Sequence, residues 1–291
     1  MSKALAIDLG GTNLRAGLAS PGQPDRIEAI GHWPAPRDRQ AFQEVIEGLV
    51  ATHGVSRMGI AVPGLALGTT CAWIPNLAYL DGLDLAASFP GISVALGNDA
   101  HFALLAEASA GAARGLTDVI LLAIGTGIGS AVLAGSRIVR GAHGGAASFG
   151  WASADRADPG DDRDGWLERQ ASGRALDRLA ASTGLGSGTA LIVKARSGDP
   201  GALRLLEGVA SALGTALAGP VALLDPQLVL IAGGVAEAFD VLGPAALPTL
   251  RRQLPPHLRN ITLAPGSFGA SASLVGAGIA AFKGETWEQV R

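Results

Sequence analysis

The sequence predicts a layered α/β protein of two related domains, residues 1–114 and 115–291. Two observations carry that reading. Short apolar runs that read as strands alternate with segments of helical periodicity, the pattern of sheets covered by helices. In addition, an apolar strand, a glycine turn and a second apolar strand occur twice: Ala4 to Ala19 aligns with Val119 to Ala134, with Gly10 on Gly125 and Asp8 on Ala123. At 291 residues, 48% hydrophobic and 16% charged, the chain is long enough for two full cores.

Taken in order, residues 3 to 19 form two strands and Ile27 to Trp33 a third. Arg39 to His53 is a helix, because Phe42, Val45, Ile46, Leu49 and Val50 recur at the 3.6-residue period. Met58 to Val62 is a buried strand ended by Pro63-Gly64; Ser93 to Leu96 is another, followed by a helix from Asp99 to Ala113. The second domain repeats the hairpin as far as Arg140 and passes through a glycine-rich and then an acidic loop. Helices near Gly173 to Ala181 and Ala202 to Ala222, strands at Gln227 to Ala232 and Thr262 to Ala264, and a terminal Ala/Gly-rich helix, free to pack back on the first domain, complete the chain.

Composition excludes several classes. A net charge of −3 argues against a nucleic-acid surface. Val119 to Ser136 is uncharged but divided by four glycines, so it reads as a hairpin rather than a membrane span. The single cysteine, Cys71, excludes an internal disulfide and suits a reducing cytoplasm, and no signal peptide is visible.

The chemistry lies at the two hairpins. In Asp8-Leu-Gly10-Gly11-Thr12-Asn13, two glycines let the backbone take positive φ and approach a ligand, while Thr12 and Asn13 offer donors to phosphoryl oxygens. Asp8 makes sense beside polyphosphate if it orders Mg²⁺, directly or through water. An ordinary glycine-rich hairpin fits the first motif as well; the second copy, Ile124-Gly125-Thr126-Gly127-Ile-Gly129, favours two turns clasping one nucleotide, with the metal on the side of the acid.

These two motifs resemble those of the sugar-kinase, actin and Hsp70 superfamily, and within it the chain is similar to the ROK group (repressors, open reading frames and kinases). Gly59-Ile-Ala-Val-Pro-Gly64, Pro75-Asn-Leu77, Gly97-Asn-Asp-Ala100, Gly165-Trp-Leu-Glu-Arg-Gln-Ala-Ser-Gly173, Leu230-Ile-Ala-Gly-Gly-Val235 and Leu274-Val-Gly-Ala-Gly278 extend the resemblance nearly end to end. It implies a two-domain actin-like ATPase (ribonuclease H-like) fold with a nucleotide and sugar cleft. It also implies ATP and Mg²⁺ as cofactors, a hexose substrate, and a cytoplasmic protein for which a homodimer is allowed.

Site residues follow by matching position. Asp99 becomes the base that takes the proton of the attacking sugar hydroxyl; capping a helix is the commoner role for Asn98 and Asp99, and a helix N-terminus is expected to keep Asp99 ionised. Gly64, Asn76, Asn98 and Glu168 become sugar contacts, although Glu168 reads equally as a solvated first-turn acid. Gly10, Gly11, Thr12, Asn13, Gly125, Thr126 and Gly127 face phosphates. Gly233 and Gly234 resemble the adenosine motif or form a plain tight turn.

Departures from the family are as informative. Its Glu-x-Gly-His segment reads here Ser148-Phe-Gly150-Trp151, and its zinc-binding cysteine run reads Ala157-Asp-Pro-Gly-Asp-Asp-Arg-Asp164, so no structural zinc is expected. The acidic cluster reads as a solvated turn, and Trp151 is expected to fill volume rather than stack on a sugar. His101 is expected to be a packed helix histidine. The resulting expectation is a glucokinase-like enzyme transferring phosphate from ATP to a hexose 6-hydroxyl. The alternatives are a kinase for an N-acetylated or amino hexose or fructose, and a catalytically silent sugar-binding or regulatory protein.

Overall fold

Six consecutive buried residues make β1 (Ala4–Leu9), and such unbroken apolar character suits a strand paired on both edges and covered on both faces. The computed structural model describes residues 2–290. β2 (Asn13–Ser20) and β3 (Gln23–Pro34) follow as an antiparallel meander, β3 running well beyond the expected segment. α1 (Arg39–His53) starts where the Asp38 side chain accepts from the Ala41 N–H and stops at Gly54, whose φ of 58° is the left-handed C-cap that glycine takes without strain. β4 (Arg57–Val62) then enters the sheet parallel to β1. A small hairpin of β5 (Leu65–Leu67) and β6 (Thr70–Trp73), absent from the sequence reading, precedes the single turn α2 (Leu85–Ser88). β7 (Ser93–Asn98) pairs parallel with β4 and leads into α3 (Asp99–Ala110). The sheet order is β3-β2-β1-β4-β7, and Phe42, Ile46, Ile7, Ile60 and Leu96 lie in its core.

The second sheet repeats the plan. β8 (Val119–Ile124) and β9 (Ile128–Ala134) form the second hairpin, and β10 (Arg137–Ile138) follows. Helices α4 (Trp166–Ala171), α5 (Gly173–Ser182), α6 (Gly188–Arg196) and α7 (Pro200–Leu224) lead to β11 (Leu228–Ala232), α8 (Phe239–Gln253) and β12 (Leu263–Pro265). Its run β9-β8-β11-β12 matches β2-β1-β4-β7 strand for strand, one antiparallel pair followed by two parallel ones. α8 escapes a sequence reading because it contains Pro244 and Pro248, residues that remove helix N–H groups. α7 is long and apolar enough to cross a membrane by length and composition, and Leu206, Val209, Leu213 and Leu217 bury its inner face in the core of the second unit.

The chain divides into two units, but not at one boundary: the first holds Met1–Gly115, Ser136–Ala146 and Ser271–Arg291, the second Leu116–Gly135 and Ala147–Ala270. The terminal helix α9 (Ala272–Lys283) explains the return. A Cβ on Gly59 of β4 would sit 2.0 Å from the Ala277 carbonyl oxygen, and one on Gly276 would sit 1.9 Å from that of Phe102. Glycine at both contacts lets α9 lie directly against β4 and α3. After it, Ile138 donates its N–H to Glu288 O at 2.9 Å and Val290 donates to Ser136 O at 3.0 Å, tying residues 136–138 to the same unit.

Candidate active site

The parallel strands β1, β4 and β7 end together, since Asp8 pairs with Ala61 and Val62 with Asn98. Each carboxyl end therefore delivers its next residues to one edge of the first sheet, where α/β sheets bind ligands: Gly10 to Asn13 from β1, Gly64 from β4, Asn98 and Asp99 from β7. In the first turn Gly10 donates its N–H to Asn13 O at 2.8 Å, and Asn13 Nδ2 donates to Thr12 Oγ1 at 3.0 Å. Neither Gly10 nor Gly11 has positive φ, contrary to the expected reason for glycine here. Space is the reason instead, because a Cβ on Gly11 would meet Asn76 Cβ at 2.9 Å. That contact brings the turn and Asn76 together.

Asn98 is the N-cap of α3. Its Oδ1 accepts from the N–H groups of Ala100 at 2.9 Å and His101 at 3.4 Å, and its Nδ2 donates to Gly64 O at 3.1 Å. Both ends of the amide are thus engaged in fixing Gly64 against the helix start. Asp99, one position further, accepts the Ala100 N–H at 2.7 Å. Its carboxyl is pushed up to about 6, first by burial and then by the negative charge of Asp8. Loss of solvation thus outweighs the backbone donors of the helix end, and a carboxyl at about 6 stays largely ionised at neutral pH while being easier to protonate than the helix end alone implies. Asp8 is 8% exposed and takes Arg15 Nε on Oδ2 at 3.0 Å, with Nη2 on the same oxygen. Sequence reasoning missed Arg15; the signal was its position directly opposite Asp8 across the hairpin. His101 is buried, its ring 6.3 Å from that of Trp287, and burial with the nearby Arg140 lowers it to about 4.

The second turn lies in the other unit, with Ala123 where the first has Asp8. Gly125 donates to Gly127 O at 2.9 Å and accepts from the Gly173 N–H at 2.7 Å, while Thr126 at the tip is exposed. Glu168 bonds the far side of the turn: Oε1 accepts from Ile128 N–H at 2.8 Å and Oε2 from Gly165 N–H at 3.3 Å. It is therefore not merely a solvated first-turn acid, since both oxygens take backbone donors. Gly233 has φ 78°, and a Cβ there would lie 2.6 Å from Ile124 O, whereas Gly234 faces open space.

Ser148 is flanked by Ala147, whose φ of 62° is a left-handed conformation that costs a non-glycine residue about 1 kcal/mol or more. Ser130 holds this turn, its hydroxyl donating to Ala147 O and accepting from Phe149 N–H at 3.0 Å. Trp151 is 47% exposed, so it does not fill a core as expected. Asp161 and Asp162 are exposed, as a solvated turn requires, while arginines clip the loop beside them: Arg169 bonds Asp158 Oδ1 and Asp164 O, both at 2.5 Å, and Arg174 bonds Asp164 Oδ1 at 2.5 Å.

Among the described residues no three His, Cys, Asp or Glu side chains cluster as a metal cage. The donor set fits Mg²⁺ as it is carried by a nucleotide, because one carboxylate at the first turn is enough when phosphates and waters complete the shell. Open space where Cβ atoms would stand at Gly125 and Gly234 fits close approach of a nucleotide.

The ROK family model matches residues 4–283. The chain is 28% identical over 308 residues to a glucokinase of Streptomyces coelicolor, covering 95% of this chain and 96% of that protein. It is 30% identical to an N-acetylmannosamine kinase of Shigella boydii over 95% and 97% of the two chains. The structure is similar to that of a ROK family glucokinase from Streptomyces griseus in complex with glucose and AMPPNP, with a TM-score of 0.81, 27% identity, and coverage of 97% and 100%. With the duplicated sheet, the two glycine turns and a match over nearly its whole length, the chain belongs to the ROK family.

Proposed function

We propose that the protein transfers the γ-phosphoryl group of ATP to a hexose or hexose derivative, at the 6-hydroxyl. The observation that carries this is Asp99, a carboxyl raised to about 6 on the same strand-end edge as Asp8, Gly11 and Asn76, a value that lets a carboxylate act as base near neutrality. The sugar hydroxyl oxygen attacks phosphorus, its proton passes to Asp99, and the bond to the bridging oxygen of ADP breaks. Positioning and charge stabilisation supply most of the rate. In the first unit, Gly10, Gly11, Thr12 and Asn13 hold phosphate, Asp8 would hold Mg²⁺ through water, and Gly64, Asn76 and Asn98 orient the sugar. In the second, Gly125, Thr126 and Gly127 hold phosphate, Gly233 and Gly234 pass under the adenosine, and Glu168 borders the sugar loop. Mg²⁺, when bound, neutralises charge on the phosphates.

A hexose with an N-acetyl, amino or other substituent is the second reading. It is favoured by the half-exposed Trp151 ring beside an uncharged Ser148 and by the N-acetylmannosamine kinase relative. The test is sugar-dependent ADP release with Mg²⁺ and ATP across glucose, mannose, fructose, N-acetylglucosamine, N-acetylmannosamine and glucosamine. At least one sugar is expected to drive release; none doing so at high enzyme concentration favours the silent binding protein.

A further inference from the structure

Glu168 touches three backbone segments at once. Its Oε1 accepts the Ile128 N–H at 2.8 Å and lies so close under the second turn that a Cβ on Gly127 would come within 2.2 Å of it. Its Oε2 reaches back to Gly165 N–H at 3.3 Å, the start of its own helix. Its Cγ packs where a Cβ on Gly150 would lie 2.9 Å away, in the turn between Ser148 and Trp151. Gly165 in turn fits against Gly150 so closely that a Cβ would be 2.2 Å from Gly150 O. The other flank of the turn is held from the same stretch of chain, by Gly173 N–H on Gly125 O at 2.7 Å.

The combination is unusual for a turn meant to receive anions. A carboxylate beneath it repels phosphate, and a neutral residue would avoid that cost. What a carboxylate supplies is a strong, two-oxygen acceptor for buried N–H groups, and glycine at 127 and 150 is what admits it.

We propose that Glu168 is a positioning residue for the nucleotide: it fixes the Gly125–Ile128 turn in its phosphate-receiving conformation and ties that turn to the Phe149–Trp151 turn of the sugar loop. This rests on reading Gly125–Gly127 as a phosphate turn. A group that served the sugar alone would change sugar binding; Glu168 changes nucleotide binding even when no sugar is present.

The experiment measures binding of Mg²⁺·AMPPNP without sugar, and hydrogen exchange of the Ile128 amide, in wild type, Glu168→Ala and Glu168→Gln. Glu168→Ala is expected to weaken AMPPNP binding by about tenfold or more and to speed Ile128 exchange, equivalent to about 1.4 kcal/mol or more for the binding step. Glu168→Gln retains an acceptor oxygen for Ile128 and is expected to recover AMPPNP affinity to within about threefold of wild type. Unchanged AMPPNP affinity in both variants, or a loss confined to the sugar KM, overturns the proposal. Equal losses in Ala and Gln variants overturn its hydrogen-bonding basis. If Glu168→Ala fails to fold, the Gln variant decides alone through its two readouts: AMPPNP affinity that stays within about threefold of wild type and falls only as far as Ile128 exchange quickens supports positioning, and faster Ile128 exchange with unchanged affinity, or a large affinity loss without faster exchange, overturns it. Wild type that does not bind AMPPNP at all removes the phosphate-turn reading itself, whereas Ile128 exchange still reports whether Glu168 holds the turn.

Discussion

Arg15 and Asp8 face each other across the first hairpin, and both Nε and Nη2 of the guanidinium bond a single oxygen, Oδ2, of the carboxylate. The pair gives an almost fully buried acid a cationic partner while its other oxygen stays outside the ion pair. Asp8 also acts on a second acid, because it is one of the causes that raise Asp99.

Replacing Arg15 with Met removes a cation from that pair of acids. With less positive charge nearby, protonation of Asp99 becomes easier, so its pKa rises above about 6. The acid limb of the kcat/KM profile is expected to move to higher pH. A limb that stays in place, measured with the active sugar, shows that Arg15 does not act on the base.

Asp99→Asn is expected to lower turnover by about 10²-fold or more while raising stability at neutral pH. The sign follows from Asp99 being raised from 3.8 to about 6 in the fold: the unfolded chain gives up this proton first, so stability is fully present below 3.8 and is lost as pH rises through about 6. Asparagine escapes that loss. The variant should melt a few degrees higher than wild type at about pH 7.5, by roughly 1–3 kcal/mol, and the difference should vanish toward about pH 4. A variant that melts lower at every pH yet turns over normally would make Asp99 a helix-start residue and nothing more.

His101 has the opposite slope. Burial and then Arg140 lower it from 6.5 to about 4, so its contribution is present above 6.5 and is lost as pH falls toward 4, where the unfolded chain binds the extra proton. His101→Leu is expected to flatten the fall in Tm between those pH values relative to wild type. An unchanged slope removes His101 from the acid response.

Ser148 and Trp151 occupy the positions where the resemblance implies a glutamate and a histidine. The purified protein should carry no stoichiometric zinc, and a chelator should leave Tm unchanged. If the missing carboxylate limits glucose binding, Ser148→Glu combined with Trp151→His should lower the glucose KM, by about tenfold for each 1.4 kcal/mol recovered. Weaker glucose binding in this pair would mean a pocket rebuilt for another sugar.

Arg169 holds the loop that replaces the cysteine run through Asp158 and Asp164 O. Its side chain is 24% exposed and that of Asp158 14%, so Arg169→Met leaves Asp158 unpaired in a poorly solvated place and is expected to cost roughly 1–3 kcal/mol. Limited proteolysis should shift to residues 152–164. Wild-type resistance in that segment, at equal Tm, would show that the ion pairs do not hold the loop.

The amino-acid sequence alone determined what depends on neighbours in the chain. A 3.6-residue period located α1 and unbroken apolar runs located β4 and β11; the glycine turns and the Asn98–Asp99 helix start were legible because turns and caps are chosen by local backbone and hydrogen-bonding demands. Self-comparison also revealed the duplicated hairpin. The tertiary structure decided the rest, for one physical reason: burial, charge and close packing are set by residues distant in sequence. Gly59 and Gly276 are ordinary in the chain, yet they seat α9 in the first unit. The helix end at Asp99 suggested a readily ionised carboxylate, and only the packing around it, with Asp8, raises its pKa to about 6. The two prolines of α8 argue against a helix until its place against α7 is known. Trp151 is apolar enough for a core but remains half exposed, and Oε1 of Glu168 accepts from Ile128, forty residues away, a partner no local pattern could name.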